Sequence, residues 1–462
     1  MSNSFIKGIS NIFIANIIGM VFGLLSNFIL PKYLSINSYS ALKLYQLYIS
    51  YIGLLHLGYS DGIYLKYGGK NFSEIGSQDI SITLFTLKIF QLCMGAVVIL
   101  ISIMSQNDLL LAFGFTILPM NTIDYFRLVF QAIGEFERYS NITKITALMN
   151  FLINMLLVFV FRTDDYHLFL ASLVVWNILL WIYLELEIKK TITDINSYKK
   201  FSLVELKDNI QTGLPLTLGN FSSVLLTSID RWFVKGLMST VSFAHYSFAV
   251  STEGFINIAL TPISVTLYNY FCNHYDIKKI IKIRNLILIF TSYIVSCGFG
   301  VKFIVEIYLD KYQESISIIF LLFASQIFYT VIRSIYVNMY KVEKKQKDYF
   351  KKILFVVIAG VLLNIFCYAL LHKIESFAIG TLLSSIIWLL ICCLDFKNVS
   401  FGLNELIYIF FTTILFIGFG ICFSSVLGFI LYIICISVLS WILLRKDIKY
   451  FQQIILEFIK KK

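Results

Sequence analysis

Fourteen apolar stretches, each near the length of a membrane-crossing helix, follow one another along this chain. They run over residues 9–30, 41–60, 82–104, 109–131, 142–161, 167–184, 210–234, 241–268, 285–303, 315–338, 353–371, 374–394, 404–424 and 426–444. A hydrocarbon core needs about 20 residues of helix to cross it, and backbone groups inside it must be satisfied within the segment. Composition excludes a soluble alternative. At 58% hydrophobic, 14% charged and a mean hydropathy of +0.81, the chain has too little polar surface to meet water. The expected fold is all-α and polytopic. The first stretch, Ile9 to Leu30, is too long for the apolar part of a signal peptide and lacks a small-residue cleavage site, so it is expected to remain in the protein.

Charge tests the count. With an even number of helices both termini share one side. Placing them in the cytoplasm puts 27 of the 38 lysines and arginines in cytoplasmic segments and eight outside, with Lys88, Arg127 and Arg333 inside helices. This is the positive-inside pattern, and it keeps its sign along the chain, where a missed helix would reverse it. The net charge of +11 is therefore an orientation signal, and no nucleic-acid partner is needed to explain it. Cys93, Cys297, Cys367, Cys392, Cys393, Cys422 and Cys435 lie inside apolar stretches, with no CxxC pair or metal spacing among them. No phosphate-binding loop, HExxH or serine elbow is present, so neither a catalytic residue, a metal nor a cofactor is expected.

Two short echoes point to duplication. Arg127-Leu-Val-Phe130 with Phe136, Glu137 and Arg138 matches Arg333-Ser-Ile-Tyr336 with Val342, Glu343 and Lys344 at an offset of 206. Ser35, Ser38 and Tyr39 match Ser239, Ser242 and Phe243 at 204. A shared offset in a membrane protein points to a transporter built from repeated lobes. The longest break, Glu185 to Asn209, is polar and ends in Ser202-Leu-Val-Glu205, a capping-box pattern. It reads as a linker with a short interfacial helix. The expected organisation is a six-helix lobe over 1–184, the linker over 185–209, a second six-helix lobe over 210–397, and two further helices with a basic tail over 398–462. Pro31, Pro119, Pro215 and Pro262 fall within or at the ends of helices and allow bends.

Particular motifs carry a family likeness. Leu57-Gly-Tyr-Ser-Asp61-Gly-Ile-Tyr-Leu-Lys66-Tyr-Gly-Gly-Lys70 resembles the segment closing the second helix of Wzx-type polysaccharide flippases. Asp230-Arg231-Trp-Phe-Val-Lys235, followed by Phe243-Ala-His-Tyr246-Ser-Phe-Ala249, resembles their seventh-to-eighth helix segment, and the Arg127 and Arg333 echoes resemble their fourth and tenth helices. These proteins belong to the multidrug/oligosaccharidyl-lipid/polysaccharide (MOP) exporter superfamily. The resemblance implies two six-helix lobes around a central cavity, and a substrate: an undecaprenyl-pyrophosphate-linked oligosaccharide, flipped to the outer leaflet for O-antigen, capsule or exopolysaccharide synthesis. It further implies a bacterial inner-membrane protein among membrane lipids, acting beside a polysaccharide polymerase and chain-length proteins.

A pyrophosphate crossing a bilayer needs cations facing a watery cavity, and arginine grips phosphate bidentately. Arg127 and Arg333, about one turn inside the cytoplasmic ends of the fourth and tenth helices, are the leading substrate contacts. The alternative is snorkelling to the interface, or an ion pair of Arg127 with Asp124 three residues earlier. Asp61 and Lys66, among Gly58, Gly62, Gly68 and Gly69, are candidates because glycine lets backbone approach a phosphate closely. Asp230 and Arg231 are candidates for an outer gate, against the reading of an exposed pair. Glu253, deep in the eighth helix, is the candidate for coupling to a proton or sodium gradient, against the reading of a hydrogen-bonded structural acid. Two other functions fit the class less well. A membrane polymerase or ligase needs a large outer loop, and every outer loop here is short. A drug exporter suits an acidic cavity better than a basic rim.

Overall fold

The computed structural model describes residues 3–191, 200–273 and 275–450. The chain divides into two compact units, Met1–Leu225 and Leu226–Lys462. The first contains α1 (Asn3–Tyr33), α2 (Ile36–Ile49), α3 (Tyr59–Tyr67), α4 (Phe72–Ile75), α5 (Ser77–Ser105), α6 (Asp108–Ala132), α7 (Phe136–Met155), α8 (Tyr166–Thr191) and α9 (Leu203–Leu226). The second contains α10 (Ile229–Leu237), α11 (Thr240–Asn273), α12 (Ile277–Ile294), α13 (Cys297–Tyr308), α14 (Ser315–Val331), α15 (Val337–Val342), α16 (Gln346–Leu371), α17 (Glu375–Asp395), α18 (Leu403–Cys422) and α19 (Ser425–Leu443). The protein is all-α and polytopic, with about fourteen helices of the expected kind. Among the described residues, 11 helices are long and apolar enough to cross a membrane. The other three expected segments are the second, seventh and eighth. The second and seventh are broken into shorter pieces, α2 with α3 and α9 with α10.

The boundary between the units falls after Leu225, so the seventh segment up to that residue belongs with the first six. No separate interfacial helix precedes it among the described residues. Ser202 caps α9 itself, accepting the Glu205 backbone N–H at 3.2 Å. Only half of the capping box forms, because the Ser202 N–H is spent on Thr86 Oγ1 at 3.2 Å and Glu205 reaches sideways to Lys66. Residues 192–199 of the expected linker, and 451–462 of the basic tail, lie outside the described residues.

Both sequence echoes are hydrogen-bonded motifs. In the first unit, Ser35 Oγ accepts from Ser38 N at 3.2 Å, and in the second Ser239 Oγ accepts from Ser242 N at 3.1 Å. Tyr39 and Phe243 behind these caps are fully buried. The turns after the two arginines also match: Gly134 N donates to Gln131 O and Glu135 N to Phe130 O, while Lys344 N donates to Lys341 O and Lys345 N to Tyr340 O. Each is a Schellman cap, with Gly134 and Lys344 in the left-handed region at φ 80° and 56°. These turns correspond at an offset of 210, four residues more than the echo that carried Arg127 onto Arg333. The arginines therefore sit about one helical turn apart relative to their turns and are not equivalent. The second copy also carries a π-helical turn, Ile332–Tyr336, which contains its arginine and precedes its cap. Similar side-chain types had aligned where the backbone hydrogen bonds do not.

The last two helices are bound into the second unit. Arg284 on α12, fully buried, donates to the carbonyls of Val399 at 2.6 Å and Ser400 at 2.7 Å, and stacks 4.0 Å from the Phe401 ring. With Asn285 it also holds Glu405 at the start of α18. At the far end Lys302 Nζ donates to the last carbonyls of α18, Gly420 at 2.8 Å and Phe423 at 2.5 Å. One turn on, Glu306 accepts from Ser425 Oγ at 2.6 Å at the start of α19. A cation on a helix C-terminus and an anion on an N-terminus satisfy end groups that the bilayer cannot. Arg284→Ala is expected to destabilise the protein by about 3 kcal/mol, since it strands two carbonyls, empties a buried site against Phe401 and removes the cation beside the half-buried Glu405. Thermal unfolding in detergent checks this, with Arg445→Ala, whose guanidinium lies 5.1 Å over Trp441, as the near-neutral control.

Candidate functional site

The second segment does not cross as one helix. After α2 the chain takes a 3-10 turn over Ile52–His56, then turns through Leu57 at φ 51° and Gly58 at φ 93° before α3 begins. Unwound carbonyls at membrane depth need partners. Gln91 donates to Leu55 O at 3.2 Å, and Asn121 donates to Ile52 O at 3.4 Å and to Gln91 Oε1 at 2.6 Å. The freed Gly58 N–H is taken by His56 Nδ1 at 3.1 Å. Thus two polar side chains from α5 and α6 hold the break open.

Glycine lets α3 lie directly on α9. A Cβ at Gly58 would stand 2.5 Å from Leu214 N, and one at Gly62 or Gly213 would overlap the backbone opposite. Gly58 and Gly62 are four apart, the small-residue spacing by which membrane helices approach closely. This contact brings the Asp61 carboxylate, buried in the first turn of α3, onto the Thr217 hydroxyl, which donates to it.

Above that contact lies a cavity of ≈ 360 Å³ within the first unit. His56 and Asp61 come from the broken segment, Asp124 and Arg127 from α6, and Thr217, Asn220 and Phe221 from one face of α9. Arg127 donates to Asp124 Oδ1 at 2.9 Å and Thr146 Oγ1 at 3.0 Å, and its buried Nε finds no acceptor among the described residues. The pair stays partly open, with side-chain exposures of 23% and 31%. The arrangement offers one partly exposed guanidinium beside two carboxylates in different settings. It is suited to gripping a ligand that carries anionic oxygens together with hydroxyls.

The other candidates occupy different places. Lys66 bridges Asp79 at 3.0 Å and Glu205 at 3.1 Å, tying α3, α5 and α9 together. Partial burial acts to lower its pKa, but the two carboxylates outweigh that and hold the ammonium above its ordinary value. Asp230, in the second unit, is buried rather than exposed. It accepts the Tyr246 O–H at 2.7 Å, the Arg231 backbone N–H at 2.8 Å and the Thr381 O–H at 3.4 Å, joining α10, α11 and α17. Arg231 follows it with a buried Nε that finds no acceptor among the described residues. Glu253 accepts from the Gln326 side-chain amide, and Asp230, Arg231 and Arg333 supply the charges that act on it. Arg333 lies in the π-helical turn, its guanidinium 5.3 Å over the Tyr329 ring. Among the described residues, no three His, Cys, Asp or Glu side chains converge as a metal set.

Asp61 and Arg127 thus share one cavity, while Asp230, Arg231, Glu253 and Arg333 belong to the second unit. Thr217 and Asn220 were missed by sequence reasoning. Their only signal was the spacing 213, 217, 220, 221, 224 on α9, which reads as an ordinary helix face until the broken segment is laid against it.

The fold is a polytopic helical bundle with a broken second segment and a cavity in its first unit. Among solved structures the chain is similar to a lipid II flippase, MurJ, in an inward closed conformation. The TM-score is 0.65 at 14% identity, covering 94% of this chain and 99% of that one. It is also similar to a multidrug resistance MATE family transporter of the MOP superfamily in an inward-facing conformation, with TM-score 0.61 at 13% identity, covering 82% and 95%. The chain shares the fold of these two structures. No protein-family profile matches the chain, and no curated protein matches it by sequence.

Proposed function

We propose that this chain is a Wzx-type flippase. It translocates an undecaprenyl-pyrophosphate-linked oligosaccharide from the cytoplasmic to the outer leaflet of a bacterial inner membrane by alternating access. That step supplies O-antigen, capsule or exopolysaccharide synthesis, alongside a polysaccharide polymerase and chain-length proteins. The observation that carries the reading is Arg127: a partly exposed guanidinium lining a cavity in the first unit, braced by Asp124 and Thr146. Asp124 offsets part of the cost of placing that cation there, and a pyrophosphate, the anion that a lipid-linked sugar presents, is a second anion it can grip. Asp61 and Asn220 on the opposite walls offer hydrogen-bond groups for sugar hydroxyls. Support also comes from the fold shared with a lipid II flippase. Glu253, beside Asp230, Arg231 and Arg333, is the proposed site of coupling to a proton or sodium gradient.

A second reading has one observation in its favour. The same cavity holds two carboxylates and the Phe221 and Tyr139 rings, a set that also suits a lipophilic cation, and a multidrug transporter shares the fold. The deciding experiment places purified protein in proteoliposomes. Fluorescent undecaprenyl-pyrophosphate-linked sugar should become accessible to an impermeant quencher from the far leaflet. Ethidium accumulation driven by an imposed proton gradient, with no movement of the lipid-linked sugar, would establish drug export instead.

A further inference from the structure

Two cavities, neither part of the site above, lie along the seam between α7 and α8. One, of ≈ 250 Å³, is at the end where Arg138, Asn141 and Lys144 of α7 face Tyr183 and Glu187 of α8. Its floor is apolar, formed by Ile142, Ile145, Leu180 and Leu184. Arg138 rests 5.5 Å over the Phe130 ring, and among the described residues neither Arg138 nor Lys144 is ion-paired. The other, of ≈ 930 Å³, begins about one turn further along the same helices. It is lined by exposed apolar side chains, among them Leu152, Leu156 and Val160 on one wall and Leu168, Val175 and Leu179 on the other. A π-helical turn over Leu156–Val160 widens α7 where the groove runs.

We infer that this seam is a binding site for an anionic bilayer phospholipid, its phosphate held by Arg138 and Lys144 and an acyl chain laid in the groove. The shape follows the ligand. A cationic pocket small enough for a phosphate diester stands about one turn from an apolar channel on the same seam, and the nearer half of that channel, about 15 Å for one leaflet, takes one chain. Two cations against a single acid set the sign of the headgroup, because a zwitterion would bring its own ammonium into the pocket. Charge bias along the chain puts this end on the cytoplasmic side, where basic pockets between helices recognise anionic lipid. The site is separate from Arg127, so the transported substrate and the resident lipid need not compete.

The test uses the full chain in nanodiscs of phosphatidylcholine, with or without phosphatidylglycerol. Lipids retained after mild delipidation are counted by native mass spectrometry, and Tm is read in parallel. Wild type should retain phosphatidylglycerol and gain a few degrees from it, as any ligand selective for the native state provides. The R138Q/K144Q double variant should lose both effects while matching wild type in phosphatidylcholine alone. Leu179→Trp, which fills the groove and leaves the cations, should also release the lipid. Undiminished retention in either variant overturns the site. If inorganic phosphate alone reproduces the gain in phosphatidylcholine nanodiscs, the pocket takes free phosphate and the lipid assignment fails.

Discussion

Arg127→Ala should cut translocation of the lipid-linked sugar by about tenfold to a hundredfold at equal membrane expression. One charge-assisted hydrogen-bonding group contributes about 1.5–3 kcal/mol, and each ~1.4 kcal/mol is a factor of ten. Arg127→Lys should fall between, since a lysine keeps the charge but cannot offer two parallel donors. The competing account makes Arg127 only the partner of Asp124 in an ion pair within α6, 2.9 Å apart. In that case Asp124→Asn and Arg127→Ala would have equal, small effects, as pairs of this kind contribute little. Complementation of a strain lacking its own polysaccharide flippase reads the difference as surface polysaccharide. Wild-type levels in Arg127→Ala would remove the arginine from the site. Arg333→Ala makes an informative companion, because Arg333 stands about one turn from the place corresponding to Arg127 and packs on Tyr329 instead.

Gly213→Ala is expected to be the most damaging single methyl that can be added to the first unit. Its Cβ would overlap the Gly58 carbonyl and the Gly62 N–H, which are backbone atoms that no rotamer change can move aside. Overpacking of this kind costs about 1–3 kcal/mol, and more where the backbone must shift. Gly62→Ala meets the Asn209 carbonyl and should behave alike. The same helix supplies the control. A Cβ at Gly219 would have nothing within 4 Å, so Gly219→Ala should be neutral or slightly stabilising through helix propensity. Fluorescence-detected size-exclusion after heating gives the three apparent Tm values. Equal stability of Gly213→Ala and Gly219→Ala would show that α3 and α9 can part at little cost. Any surviving Gly213→Ala protein should also transport poorly, since separating α3 from α9 draws Asp61 away from Thr217.

The membrane class and most spans were legible because hydropathy is local: each apolar run has one way to hide its backbone from lipid, which is to coil. The recurring serine cap was legible for a related reason. Ser35 and Ser239 are helix caps, and a cap satisfies its own next turn, so its residues recur wherever that turn recurs. Part of the site could be read as well. Asp61 and Arg127 are charges in apolar surroundings, and such charges stand out against the cost of placing them there. Their grouping in one cavity could not be read, because it depends on α9 meeting the broken segment.

What the sequence by itself determined is the kind of object this is: a basic-sided stack of about fourteen helices, with a few charges at depth. Tertiary structure decided which of those charges keep a free face. Lys66 is spent on Asp79 and Glu205, and Asp230 on Tyr246, Thr381 and the chain beside it, whereas Arg127, though paired with Asp124, stays partly exposed and lines a cavity. Tertiary structure also decided that the second segment breaks, because Gln91 and Asn121 reach it from two other helices. The physical reason is one of range. Burial in lipid is settled residue by residue along the chain, but the partner of a buried charge is settled by whichever helix packs against it.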